Sequence, residues 1–562
     1  MMGVRVATVT LGCAFIAGYL IAGQPSGEDA AVDLLIARFV DKMNREPKWA
    51  PAKWVSSDVD ELLSGLNLRY GFWSDIDYNE ANPSEWMLAH KHLGRTLELA
   101  KIWHTKGDRR CLEAVHRTLE RWRATRYYNP NWWWLTVGIE RYFSRIGLNL
   151  GNELTEAERK FFVEMANKPE PGFAKTGQNK VFIAENRMIA AILDHDMESA
   201  RKFRNVLCEE VRVTDGEGIQ RDWCYHQHGH QPQFANYGYA FLLSQSQTAE
   251  MFAGTALAYE PEKIGILFSL AEKGYQWIVW KGMVDVSALG RALLPSVQKE
   301  KADGIERAFA SLVASGWKRP PDPIGFRSFD RSAYAIYRTD RWMASVRAST
   351  PGIIGVETTL NNDNIKGMSM ADGALMVYSS GREYEDVFPL WKDWRMIPGV
   401  TGYLGRPTFK GDSRNEVDGY SAKMLETGGE VSLDFRREGL SAHKTWVFSP
   451  EGIVCEGRSI GATDSSFEVA TCVENANAQP NAGVVYERTN ESCFRNGNIL
   501  YTIEAPRSSI KFSIEDRSGD FHEFMGGFPS RPHKGRLFSL LVLHGNIPKD
   551  ASYRYRISFD EK

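Results

Sequence analysis

The sequence predicts an α+β multidomain protein: an N-terminal α/α toroid, an incomplete barrel of helical hairpins, followed by a C-terminal antiparallel β-sandwich. Three observations predict it. Apolar residues recur with helical spacing from about residue 30 to 317. Beyond residue 326 they alternate with polar ones, as half-buried strands require. Between the two lies GWKRPPDPIGF (316–326), a linker with three prolines and two glycines in eleven residues. A chain of 562 residues is also too long for one hydrophobic core. The reading places the helical domain at 28–320 and the β-sandwich at 326–562, with room for a small terminal β subdomain from about residue 480.

The N-terminus carries one charge, Arg5, then an apolar run from Val6 to Ala22 that Gly, Pro and Ser break. This reads as a signal peptide over 1–27, hence a secreted or periplasmic protein with no stable membrane association once it is removed. A single membrane anchor is the alternative, because the run is near the lower limit for spanning a bilayer. Val32, Leu35, Phe39, Val40 and Met43 then share one helical face, as do Trp86, Leu93, Leu97 and Ala100. CLEAVHRTLERWRAT, EAERKFFVEMANK, MESARKFRNVLCEEV and EKIGILFSLAEKGYQWIVWKG continue the pattern. After the linker, SAYAIYRTDRWMASVRAS, GALMVYSSG, EVSLDFRREG, HKTWVFSPEGIVCEGRSI, FEVATCVEN and LFSLLVLHG read as strands separated by Gly, Asp and Asn turns.

Formal charge is −3, from 68 basic and 71 acidic residues, so no whole-chain basic field exists and no nucleic-acid partner is expected. The 17 Trp, 21 Tyr and 28 Phe lean toward a carbohydrate partner, because flat rings stack on sugar C–H faces. Six cysteines follow residue 30 with no C-x-x-C pair, which argues against a zinc ribbon or redox motif. Export allows one or two disulfides, buried free thiols are the expectation for most of the six, and the chain is expected to be a monomer.

The stretch WCYHQHGHQPQFANYGYAF (223–241) sets His226, His228 and His230 at alternate positions, which on an extended segment could converge on one ion. Only Asp222 and Cys224 stand near them as further ligands, and Gly229 and Pro232 argue for an irregular loop. We therefore expect no metal, with His226 and His230 hydrogen-bonded on the surface or in the core. Trp132, Trp133 and Trp134 are adjacent, so they cannot all face inward from one helix or strand; at least one is expected to line a cleft and stack on sugar.

Several motifs follow one another in a fixed order. NWW (131–133) is followed by T-G-x-N (176–179), DGEGIQRDWCYHQHG with QFANYG, and the Gly290–Arg291 turn. NNDNIKGMSMADGALMVY, WKDWRMIPGVT and HKTWVFSPEGIVCEGRSI continue the series. In these motifs the chain resembles polysaccharide lyase family 8, the hyaluronate, chondroitin AC and xanthan lyases, over roughly residues 70–480. The resemblance implies catalytic roles for Asn179, His228, Tyr237 and Arg291. Asp363 falls where the family has a β-domain glutamate, one methylene longer. Asn131, Trp132, Trp133, Trp134 and Asn364 are the implied substrate contacts, and no cofactor is implied. Two departures concern substrate contacts: Pro295 stands where many members have a second arginine, and WLTVG (134–138) replaces an acidic residue and E-I-G.

The implied reaction is β-elimination at a uronic acid of an acidic polysaccharide, with hyaluronan or chondroitin as lead substrate and xanthan-type chains or alginate behind it. The C5 proton lies beside a carboxylate, so its removal needs that charge neutralised. Tyr237 is the preferred base. Its ordinary pKa of about 10 makes ionisation near pH 7 cost roughly 4 kcal/mol, which a nearby Arg291 cation would reduce. His228 is the alternative base. The rival readings are a glycoside hydrolase on an α/α toroid, using two carboxylates, and a non-catalytic glycan-binding protein.

Overall fold

A computed structural model describes residues 28–47, 54–79, 86–168, 175–360 and 362–560; the expected signal peptide lies outside them. Helices run from Glu28–Asn44 to Val297–Ala314, and a continuous series of strands follows from Gly325–Phe329 to Lys549–Phe559. Val32, Leu35, Phe39, Val40 and Met43 are all buried in the first helix, as their spacing predicts. Consecutive helices form antiparallel pairs, Gly94–Lys106 on Arg109–Thr125 and Gly177–Leu193 on Met197–Glu210, which build the incomplete α/α toroid. The first helix packs against three others, Ile139–Leu150, Gly177–Leu193 and Tyr239–Phe252. Arg38 fastens it there by donating to the carbonyls of Met251 and Ala253, both at 2.8 Å.

Local signals explain several helix ends. Thr155 and Glu158 form a reciprocal capping box that starts Glu156–Ala166. Asp108 accepts from the Arg110 backbone N–H to start Arg109–Thr125. The stretch EKIGILFSLAEKGYQWIVWKG departs from the expected single helix. It passes through a π-helical turn at Ala271–Tyr275 and becomes a strand at Val279–Trp280, where β-branched residues meet a turn at Gly282.

The β part contains two four-stranded sheets and one eight-stranded sheet. Gly325–Phe329, Tyr334–Arg338, Met343–Ala348 and Asp372–Tyr378 form an antiparallel meander. Its last three strands are buried on both faces. Tyr334, Ile336, Met343, Ala374, Met376 and Tyr378 join the core shared with the helices, while Ala335, Tyr337, Ala344, Val346, Leu375 and Val377 join the core under the eight-stranded sheet. In the outer sheet, Leu440–Ser449 alternates strictly between buried and half-buried positions.

Strands after residue 480 pair with strands before it. Lys549–Phe559 pairs with both Gly452–Ala462 and Ile499–Ile503, and Pro532–Asn546 pairs with Glu468–Asn477. The C-terminal strands therefore complete sheets that the earlier strands begin. The six described cysteines are buried free thiols. No helix among the described residues is long and apolar enough to cross a membrane.

Candidate active site

The helical and β parts meet through buried polar contacts. Asp285, fully buried in the helical part, accepts from the hydroxyls of Tyr334 and Tyr378, the latter at 2.7 Å. Arg338 from the meander donates to the carbonyls of Gln276 and Val279, at 2.5 and 2.9 Å. The Ile354 backbone N–H donates to the His230 carbonyl at 2.9 Å. These ties bring the loop after Met343–Ala348 against the histidine loop.

That loop carries Glu357, a residue the sequence reading did not single out. Its carboxylate pairs with the Arg291 guanidinium and accepts from His228 Nδ1 at 2.9 and 3.0 Å. Arg291 Nη2 donates to the Tyr237 hydroxyl at 3.1 Å, and the His228 and Tyr237 rings lie 4.8 Å apart, edge to face. His228, Tyr237, Arg291 and Glu357 thus form one cluster spanning both parts of the chain. Asp363 touches the same guanidinium from another side, at 3.5 Å from Nε. The family resemblance places the β-domain carboxylate in NNDN, at Asp363; Glu357 stands six residues earlier, directly after the apolar run Ile353–Val356. A charge at the end of an apolar run was the available signal.

Local backbone explains how the cluster is held. Tyr237 lies in a π-helical turn, Phe234–Gly238, which widens the helix start and turns its side chains. Arg291 follows Gly290, whose φ is +63°; a Cβ there would sit 2.7 Å from Gln233 Oε1, so the turn needs glycine. Gln233, fully buried, donates to Glu357 at 3.3 Å and accepts from Asn236 at 3.1 Å.

Electrostatics follow from this crowding. Burial raises the Tyr237 phenol above its ordinary value; Arg291 pulls it down, but Glu357 and Asp363 push it back. The arginine alone therefore does not deliver the net lowering that it favours. Burial opposes the charge on Arg291, yet Tyr237, Glu357 and Asp363 outweigh it and keep the guanidinium protonated. Burial, with Glu357 adding and Arg291 opposing, lifts the Asp363 carboxyl to about 6.

Asn179 lies in the first turn of Gly177–Leu193, 6% exposed, and its Oδ1 has no hydrogen-bond partner. A buried, unpaired amide oxygen is costly unless another group completes it. The three histidines diverge. His226 is fully buried, bonded through Nε2 to Ser332 at 3.0 Å, and burial pushes it down to about 2. His228 faces Glu357, while His230 is exposed. Among the described residues no group of three or more His, Cys, Asp or Glu is placed to hold a metal.

Other predicted contacts are relocated. Trp134 is 4% exposed and packs edge-on against His90, so it belongs to the core. Trp132 and Trp133 are half-buried on Phe182, Ile183 and Val137, with Lys175 Nζ 4.3 Å from the Trp132 ring centre. Asn131 is half-buried and caps this helix, accepting from the Trp133 backbone N–H at 2.9 Å. Asn364 is wholly buried, its Nδ2 3.4 Å from the Met370 sulfur.

Helices and antiparallel sheets meet at a junction that gathers Tyr237, His228 and Arg291, and both parts match models of a polysaccharide lyase family. The model for the polysaccharide lyase family 8 N-terminal alpha-helical domain matches residues 36–315. That for the family 8 super-sandwich domain matches residues 324–559. The chain belongs to polysaccharide lyase family 8 and is a carbon–oxygen lyase. It is 24% identical over 531 residues to chondroitinase-AC of Pedobacter heparinus, covering 86% of this chain and 74% of the relative. Hyaluronate lyase of Thermasporomyces composti is 22% identical over 519 residues, covering 77% and 66%. The solved structure of a chondroitinase AC lyase superposes with a TM-score of 0.82 at 22% identity, covering 94% of this chain and 83% of that one.

Proposed function

We propose that this lyase cleaves a uronic-acid-containing polysaccharide by β-elimination, leaving a 4,5-unsaturated uronate end. One observation carries the reading: His228 and Arg291 bond to Glu357 across the junction of the two parts, and Arg291 bonds in turn to Tyr237. Asn179 stands in the first turn of its helix with its side chain buried and its Oδ1 unpaired. His228 Nδ1 donates to Glu357, which leaves Nε2 for the substrate carboxylate. The Asn179 Nδ2 amide donates to the same carboxylate, so the charge that would oppose a C5 carbanion is partly neutralised. Tyr237, as phenolate, takes the C5 proton. The C5 electron pair forms the C4=C5 bond and the C4–O4 bond breaks. The tyrosine returns its proton to O4 when both lie on one face of the ring. Arg291 stabilises the phenolate through its bond to the Tyr237 oxygen.

Hyaluronan or chondroitin is the lead substrate, supported by the names of the relatives, chondroitinase-AC and hyaluronate lyase. Xanthan-type chains and alginate stand behind them. The enzyme is exported, a reading supported by the apolar run near its N-terminus. The test is ultraviolet absorbance of products across a panel of uronate polymers, with Tyr237→Phe as control. Unsaturated ends from wild type alone support the reading. Saturated reducing ends would point to a hydrolase, and binding without new absorbance to a glycan-binding protein.

A further inference from the structure

We propose that Glu217 is a positioning residue for the elimination, and that its carboxylate sets the distance between His228 and Asn179. The proposal rests on the roles given to those two residues above. His228 and Gly229 are consecutive left-handed residues, with φ of +59° and +80°. Glycine adopts this region freely, whereas few histidines do. Such a conformation at a functional side chain persists where its surroundings over-determine it. Glu357 holds the ring, and Glu217 holds the backbone: the Gly229 N–H donates to Glu217 Oε1 at 3.0 Å.

The other carboxylate oxygen of Glu217 reaches the segment that carries Asn179. Oε2 accepts from the Thr176 hydroxyl and from the Gln227 side-chain amide. Gln227, itself buried, continues the connection: its Oε1 accepts from the Gln178 backbone N–H at 3.0 Å and its Nε2 donates to the Thr176 carbonyl at 3.3 Å. Gly177 lets Gln227 approach this closely, since a Cβ there would lie 2.3 Å from Gln227 Oε1. Asn179 stands one residue beyond this anchored pair. Glu217, together with the Gln227 amide it holds, thus ties the His228 turn to the start of the Asn179 helix.

All three partners of Glu217 are donors, so only an acceptor-only group satisfies them together. In Glu217→Gln one end of the side chain becomes a donor and faces a donor. Both groups that Glu217 spaces act on the same substrate carboxylate, and misplacement of such groups by about 1 Å can cost a hundredfold in rate. Glu217 makes these bonds to Thr176, Gln227 and Gly229, which places its effect on geometry rather than on the tyrosine's proton.

The experiment measures kcat and KM for Glu217→Gln and Glu217→Ala on the uronate polymer that wild type cleaves, alone and combined with Asn179→Ala. Amide hydrogen exchange across residues 226–231 is followed in parallel. We expect kcat to fall about tenfold or more with KM within about threefold. In the Asn179→Ala background the same substitutions should cost less than about threefold, because the spacing no longer matters. Exchange at 226–231 should accelerate in Glu217→Ala without a matching fall in Tm. Equal losses in both backgrounds, a change in KM alone, or a loss that simply tracks Tm overturns the proposal. Should wild type cleave no uronate polymer, the elimination reading fails by itself; unchanged exchange at 226–231 then still refutes the Glu217 tether.

Discussion

Replacing Asp363 by Asn tests the charge balance of the site directly. Burial lifts the Asp363 carboxyl from 3.8 to about 6, with Glu357 adding and Arg291 opposing. A carboxyl whose folded pKa exceeds its unfolded value keeps its proton longer when folded. Its contribution to stability is therefore fully present below the unfolded value, 3.8, and is lost as pH rises through about 6. The upward shift of about two units makes the ionised group cost about 3 kcal/mol at pH 8. Asn resembles the protonated acid in shape and lacks the charge. Asp363→Asn should thus be nearly neutral at pH 4 and more stable than wild type by up to about 3 kcal/mol at pH 8. Thermal unfolding followed by circular dichroism at both pH values measures this, and the gap between variant and wild type should open by a few degrees. The same substitution removes one of the charges that raise Tyr237, so the rise of kcat/KM with pH should move to lower pH. A stability gap independent of pH, together with an unmoved activity profile, would refute the reasoning.

Tyr237→Phe keeps the ring but not the hydroxyl; kcat on a uronate polymer should fall by about 10² to 10⁴ with circular dichroism unchanged. Because burial and two carboxylates raise the phenol, wild-type activity should still be climbing above about pH 8, and a plateau reached near neutrality would transfer the base role to His228. Glu357→Gln leaves a buried guanidinium with Asp363 as its remaining carboxylate, so stability should drop by about 3 kcal/mol in denaturant unfolding, alongside a loss of kcat. Trp132→Ala should raise KM more than it lowers kcat, as a stacking platform would; an effect on kcat alone would assign Trp132 to packing.

Much of the fold was legible because burial imposes periodicity. The faces of Val32–Met43 and of Trp86–Ala100 are the faces the helices bury. The switch to strands after the linker follows the same logic. Strand order was not legible: Lys549–Phe559 inserts beside Gly452–Ala462 through pairing that no local pattern encodes. Nor did alternation reveal the role of the meander, since Tyr334–Arg338 and Asp372–Tyr378 are buried on both sides. Within the site, the ordered motifs pointed to His228, Tyr237 and Arg291 together. Glu357 escaped because its partners lie more than sixty residues away in sequence, and a lone glutamate after an apolar run carries no period. The Trp triplet carried a real constraint, but which indole faced inward depended on His90, far upstream.

The polar junction limits how this enzyme can be taken apart. The proline-rich linker invites a cut near residue 320, and the two halves resemble modules that could be exchanged. Such a cut would leave Asp285 without Tyr334 and Tyr378, strand the Arg291 guanidinium without Glu357, and expose the core that helices and meander share. A chimera that borrows a foreign β-sandwich must therefore import these matching groups in register, together with the apolar face beneath them. The practical unit for expression, exchange or redesign is the whole pair, even though its outline advertises two pieces.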